Sequence, residues 1–189
     1  MKVDTAPGMM TCDSHRPTQR GWTLIELVSA LAVVGLLTSM ARPAFDGLIV
    51  RLLLRSASMT VIQTFRTARH RAMAEGRPYA VVFDAARDDY QVVGGPEPNA
   101  VTLPARVRFG AAADVLGPPS APSTPPPPGG VTFRQTKVTF LPDGTLSPGP
   151  GTVYLTGRGG GAAATMAISV TIAGHPRRYV WEDRHWRAM

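Results

Sequence analysis

Cysteine is almost absent: the single one is Cys12, so neither a disulfide framework nor a thiolate metal site can be built from this chain. Histidine is sparse too, and His15, His70, His175 and His185 are scattered along the sequence. Glu182, Asp183 and His185 fall close together but lie on a terminal tail, where they read as solvated charges and not as converging metal ligands. Calcium-loop spacing is missing around Asp88-Asp89 and Asp143-Gly144, which read as turn chemistry. Gly157-Arg158-Gly159-Gly160-Gly161 lacks the Gly-Lys-Ser/Thr ending of a phosphate cradle and has no helical pattern after it, so it reads as a hairpin tip. No Ser/His/Asp set is arranged for nucleophilic catalysis. These absences point away from an enzyme and leave no cofactor or metal to expect.

Charge is missing from one long stretch. Residues 23–41 hold a single ionisable side chain, Glu26. As a helix they reach roughly 28 Å, close to the hydrocarbon thickness of a bilayer. Lys2, Arg16 and Arg20 precede the run, and Arg42 and Pro43 follow it. A membrane segment is expected over 22–42, with the short cationic leader 1–21 in the cytoplasm and the C-terminal bulk outside. A cleaved secretory signal would use Ser39-Met40-Ala41 as its small-residue site. A plain signal anchor explains the length but not Glu26, because a carboxylate within a membrane segment is expensive and usually functional. Ser29, Ala30, Ala32 and Gly35 are small enough to let helices approach closely in lipid.

The whole chain carries a formal net charge of +7, which suits anionic surfaces without naming one. From 45 to 75 the pattern predicts an amphipathic helix. Leu53, Ala57, Val61, Phe65 (or Thr64), Ala68 and Ala72 form its apolar face, while Arg51, Arg55, Ser58, Arg66 and His70 fall elsewhere. Glu75-Gly76-Arg77-Pro78 is a helix stop. This segment joins the membrane run as one long helix kinked at Pro43, since a proline inside a helix removes a hydrogen bond. Short strands are expected at 79–84, 90–93, 101–103, 106–109, 131–133, 137–141, 153–156, 165–172 and 179–182. Pro142-Asp143-Gly144-Thr145 is a turn, and the Pro-rich stretch 117–130 is an extended surface excursion. The fold class is therefore α+β, a long N-terminal helix packed on antiparallel β-sheets, with 43–76 helical and 77–189 a β-rich domain. Near the C-terminus Arg177, Arg178, Arg184 and Arg187, with His175 and His185, are interleaved with Tyr179, Trp181 and Trp186. Arginine with exposed aromatic rings suits nucleic acid. The alternative is a buried strand whose end the arginines solvate.

Gly21-Trp22-Thr23-Leu24-Ile25-Glu26-Leu27 resembles the class III leader of type IV pilins and type II secretion pseudopilins. The resemblance implies cleavage after Gly21 and methylation of the new amine at Trp22 by a prepilin peptidase/N-methyltransferase; most members have phenylalanine where Trp22 stands. It also implies that Glu26 pairs with the N-terminal amine of a neighbouring subunit, and that Pro43 marks where the helix leaves the membrane. Arg69-His70-Arg71-Ala72-Met73-Ala74-Glu75-Gly76, Phe140-Leu141-Pro142-Asp143-Gly144 and, imperfectly, Gly174-His175-Pro176-Arg177-Arg178 resemble motifs of the GspH/FimT-type minor pseudopilins. That branch implies a type II secretion tip subunit, single-pass in the bacterial inner membrane with its β-domain in the periplasm. Its partners would be the peptidase, other major and minor pseudopilins, and inner-membrane lipid. The alternative is a FimT-like minor pilin of a type IV pilus, and only that one brings DNA as a partner. A membrane-anchored binding module outside any filament is a third class.

Overall fold

A computed structural model describes residues 21–95, 99–117, 124–158 and 164–189, without the side chains of residues 40–44 and Asn99. The leader up to Arg20, the centre of the Pro-rich stretch and the tip of the glycine loop lie outside the described residues. Two compact units divide between Ala41 and Arg42.

The first unit contributes the start of α1 (Leu24–Glu75). Its large apolar side chains are exposed, with Leu24 at 82%, Ile25 at 77% and Leu36 at 66%. Among the described residues no helix is long and apolar enough to cross a membrane. The described side chains of the apolar run end at Ser39, and the expected kink at Pro43 falls among side chains outside the description.

In the second unit the buried stripe of α1 is Val50, Leu54, Ala57, Ser58, Val61, Ile62, Phe65, Ala68 and Ala72. Steps of three and four residues keep such a stripe on one face. Two positions depart from expectation. Leu54 takes the core place assigned to Leu53, which is only half-buried, and Ser58 is fully buried instead of lying on the polar side. Burial of Ser58 is tolerable because its hydroxyl donates to the Arg55 carbonyl at 2.8 Å, leaving no orphaned polar group. The helix stops where its sequence says: Gly76 takes φ +63, a left-handed cap that a Cβ would strain.

Among the described residues ten strands follow, in two antiparallel five-stranded sheets. One has the order β3-β2-β1-β5-β6, built from β1 (Tyr79–Asp84), β2 (Asp89–Val93), β3 (Asn99–Thr102), β5 (Lys137–Phe140) and β6 (Leu146–Ser147). The other has the order β10-β9-β8-β7-β4, from β4 (Val107–Phe109), β7 (Gly151–Gly157), β8 (Thr165–Val170), β9 (Pro176–Glu182) and β10 (His185–Ala188). The 79–84 strand and its hairpin stand as expected, with Asp84 opposite Asp89. β7 pairs with β8 around the glycine loop, Thr156 opposite Thr165. The expected strand at 131–133 does not form. Val131 makes only a lone bridge to Val153, and a 3-10 turn at Arg134–Thr136 follows, with Gln135 at φ 57.

Phe65 sits at the centre of the core. Its ring lies 6.0 Å from Phe83, 6.4 Å from Phe133 and 6.0 Å from Phe140, so the helix and segments from both sides of the Pro-rich stretch meet on one side chain. At these spacings edge-to-face contacts add to the burial of apolar area.

The tail is also structured. Where solvated terminal charges were expected, β10 pairs with β9, Trp186 opposite Trp181. The two-residue link Asp183-Arg184 has φ 48 and 62, the positive pair a tight hairpin requires. The excursion at 117–130 is tied at its neck, since the Tyr154 amide donates to the Gly130 carbonyl at 2.6 Å and its carbonyl accepts from Gly110 at 3.0 Å.

Candidate functional site

At the start of α1, Gly21 and Trp22 precede the helix in exposed, non-helical backbone. Thr23 caps the helix: its hydroxyl accepts from the Glu26 amide at 3.3 Å. Thr23-Leu24-Ile25-Glu26 thus has the form of a capping box, a local signal that the sequence reading passed over. Glu26 also lies in the first turn, where the helix dipole favours an acid. Its carboxylate is exposed and forms no ion pair among the described residues.

At the other end of α1 the three internal motifs come together. Arg69 donates from Nε to the Gly144 carbonyl at 3.0 Å, tying the helix to the Pro142-Asp143-Gly144 turn. Asp143 shapes that turn by accepting from the Thr145 amide at 2.9 Å and hydroxyl at 2.6 Å, and these bonds hold its carboxyl below the usual range. Gly174, at φ +74, brings the β8–β9 turn onto the same spot; a Cβ there would collide with the Gly144 carbonyl and the Arg69 side chain. Arg66, Arg69, His70, His175 and Gly174 line a cleft of about 330 Å³. The spacing of the motifs in sequence gave no sign of this meeting. Beyond the helix, Tyr79 donates to the Glu75 carboxylate at 2.8 Å and Arg77 Nε does so at 2.8 Å, fixing the exit into β1. Hydrogen bonds from Arg77 and then Tyr79 hold the Glu75 carboxyl below its ordinary value.

The four C-terminal arginines do not converge. Strand alternation puts Arg178, opposite Ile168, and Val180, opposite Met166, on the core side of β9. Arg177 faces the other way and is exposed, Arg184 is exposed at the hairpin turn, and Arg187 lies 3.6 Å from Glu182. The aromatic rings are not displayed for stacking either. Trp181 is buried, 5.1 Å from Trp186. The Trp186 indole donates to the Gly117 carbonyl at 2.6 Å, so the start of the Pro-rich excursion closes over this face of the sheet. Tyr154 lies 5.9 Å from Trp186 beneath it, and burial pushes its phenol far above the ordinary tyrosine range. The buried-strand alternative describes these rings; a basic and aromatic surface does not.

Comparison with known proteins adds the following. A "Fimbrial protein" of Moraxella nonliquefaciens is 32% identical over 85 residues, covering 45% of this chain and 54% of that protein, so the match spans about half the length of the curated relative. The minor pseudopilin EpsH of the Vibrio cholerae type II secretion system is similar at 12% identity and a TM-score of 0.48, over 72% of this chain and 99% of that one. The type IV minor pilin FimU of Pseudomonas aeruginosa is similar at 14% identity and a TM-score of 0.49, over 72% and 94%. Residues 57–174, from the buried half of α1 to the glycine of the β8–β9 turn, match the family described as type II transport protein GspH, and this chain belongs to that family.

Proposed function

We propose that this chain is a minor pseudopilin of a type II secretion system, a tip subunit of the periplasmic pseudopilus that helps push folded proteins through the outer membrane. It is made as a precursor, cut after Gly21 by a prepilin peptidase/N-methyltransferase, and methylated at Trp22. Residues 22–42 hold it in the inner membrane, and the β-rich domain stands in the periplasm. It acts by assembly with other major and minor pseudopilins, without catalysis, metal or cofactor.

The observation that carries this reading is the run of exposed apolar side chains at the start of α1, continuous with a helix whose later half belongs to a GspH-family domain. Such a surface needs lipid or other apolar helices to cover it. Glu26 is the one acid within it, and the amine created at Trp22 is the cation its sequence neighbourhood supplies. Glu26→Ala is expected to insert in the membrane as well as the parent chain. Incorporation into filaments should fall about 10-fold or more, since a charge-assisted hydrogen bond contributes roughly 1.5–3 kcal/mol. In-cell cross-linking to the other minor subunits measures this, and unchanged cross-linking would sink the pairing.

The curated fimbrial relative favours a second reading, a FimT-like minor pilin of a type IV pilus that contacts DNA. Arg177 and Arg184 are the exposed arginines of the hairpin outside any ion pair among the described residues. Duplex binding by the full chain in detergent should then weaken with salt at a log–log slope of about 2, not the 3–4 expected of four converging arginines. A mobility-shift titration at low salt that shows no complex leaves the secretion reading alone.

A further inference from the structure

Arg178 is buried to 9% exposure, and neither its Nε nor its Nη1 has a hydrogen-bond partner among the described residues. Buried guanidinium groups are ordinarily paired, because an uncompensated charge taken out of water is among the costliest arrangements a fold can hold. Its surroundings worsen the cost. Burial and then the charge of Arg55 across on α1 hold its pKa below the usual arginine value. Arg55 and Arg178 form no ion pairs among the described residues; Glu182, on the same strand, lies against Arg187, and Asp46, earlier on the same helix as Arg55, against Arg106. Arg178 and Arg55 therefore face each other with no acid among the described residues to answer them.

We propose that Arg178, together with Arg55, is a receptor for one carboxylate, an aspartate or glutamate side chain presented by a neighbouring subunit of the assembly. A guanidinium binds a carboxylate through parallel N–H donors, and the strength of such a pair rises where water is excluded. The small fraction of Arg178 left exposed selects the source. A lone carboxylate on a flexible stem can enter where Arg178 is nine-tenths covered, whereas a phosphodiester flanked by sugars meets the helix and strand first. Docking would cancel an uncompensated buried charge, so this contact favours assembly beyond the area it covers. The subunit as source rests on the assembly reading above; the carboxylate chemistry of the site does not.

Two measurements on the full-length chain test it. The first is thermal unfolding in detergent, with sodium acetate as the carboxylate probe at constant ionic strength. Arg178→Met removes an unpaired buried charge and should raise the Tm by roughly 2–8 °C. Acetate should raise the Tm of the parent chain by roughly 1–4 °C and leave the Met variant unmoved. Arg55→Ala, on the exposed side of the helix, should keep the fold and weaken the acetate response. A lower Tm in Arg178→Met, or equal acetate effects in the parent and Met chains, overturns the site.

The second is in-cell photo-cross-linking from Met189, whose amide donates to the Arg178 carbonyl at 3.0 Å and whose side chain is exposed beside it. The captured peptide should carry an aspartate or glutamate, and capture should drop at least about 10-fold in Arg178→Met. An acetate response without any cross-link in the parent chain overturns the subunit as source, and the assembly reading with it. Cross-links without an acetate response overturn the carboxylate site and leave assembly standing.

Discussion

Glutamate at Gly21 is expected to leave the precursor uncut, with cleavage slowed by roughly 100-fold or more. A peptidase must bring its catalytic groups onto the scissile backbone, and small misplacement of that backbone costs rates of this order. The structure separates this effect from folding. A Cβ at Gly21 meets nothing within 4 Å, so no packing among the described residues demands a glycine there. Under the proposed processing, the need for a bare α-carbon there comes from the peptidase and not from the described part of the fold. Intact-mass and N-terminal analysis of the membrane form should find the parent chain beginning at methylated Trp22 and the Gly21→Glu chain beginning at Met1. Equal processing of both would remove the leader reading, while equal thermal stability of the two precursors is expected under either outcome.

Phe65→Ala should be the most damaging single truncation in the domain, at about 3–5 kcal/mol, the usual loss for a buried aromatic side chain. Phe65 is fully buried and touches rings from β1, from the segment before β5 and from β5 itself. Phe83 and Phe140 are strand residues held by their own ladders, and Phe133 is packed beside Phe83, so the surroundings cannot collapse fully into the space and a cavity should remain. Denaturant unfolding of the full chain in detergent, followed by aromatic fluorescence, should show the midpoint fall. Met59→Ala on the exposed side of the same helix (47% exposed) should stay within about 0.5 kcal/mol. A Phe65→Ala loss no greater than that would mean the helix does not seat on the sheets through this ring.

Much of this protein could be read from local pattern. The stop at Glu75-Gly76 was legible because a left-handed glycine and a following proline act on their own few residues. β1 and its hairpin were legible because alternation and turn chemistry are also local. The apolar run around Glu26 and the motif at Gly21 are likewise properties of contiguous residues, and they carry the resemblance to pilin-like proteins. The match over residues 57–174 places the rest of the chain in the same company.

Other features depended on partners far away in sequence. His185–Ala188 carries too few apolar residues to announce a strand, yet it pairs with β9 because Trp186 finds Trp181 and the Gly117 carbonyl. Residues 131–133 have a good strand composition but lie beside the neck of the excursion, where only Val131 reaches a ladder. Ser58 became core because its hydroxyl could be satisfied within its own helix. The C-terminal arginines show the limit most plainly. Sequence alone determined that four cations and three aromatic rings crowd the last stretch of chain, and that a long helix precedes a β-rich domain. Only the tertiary structure decided which side of β9 each cation takes, because alternate residues of a strand point oppositely and what waits on each side is supplied by remote segments. That geometry sent Arg177 to solvent, set Trp186 against Trp181 and the Gly117 carbonyl, and left Arg178 inside with no counter-charge among the described residues.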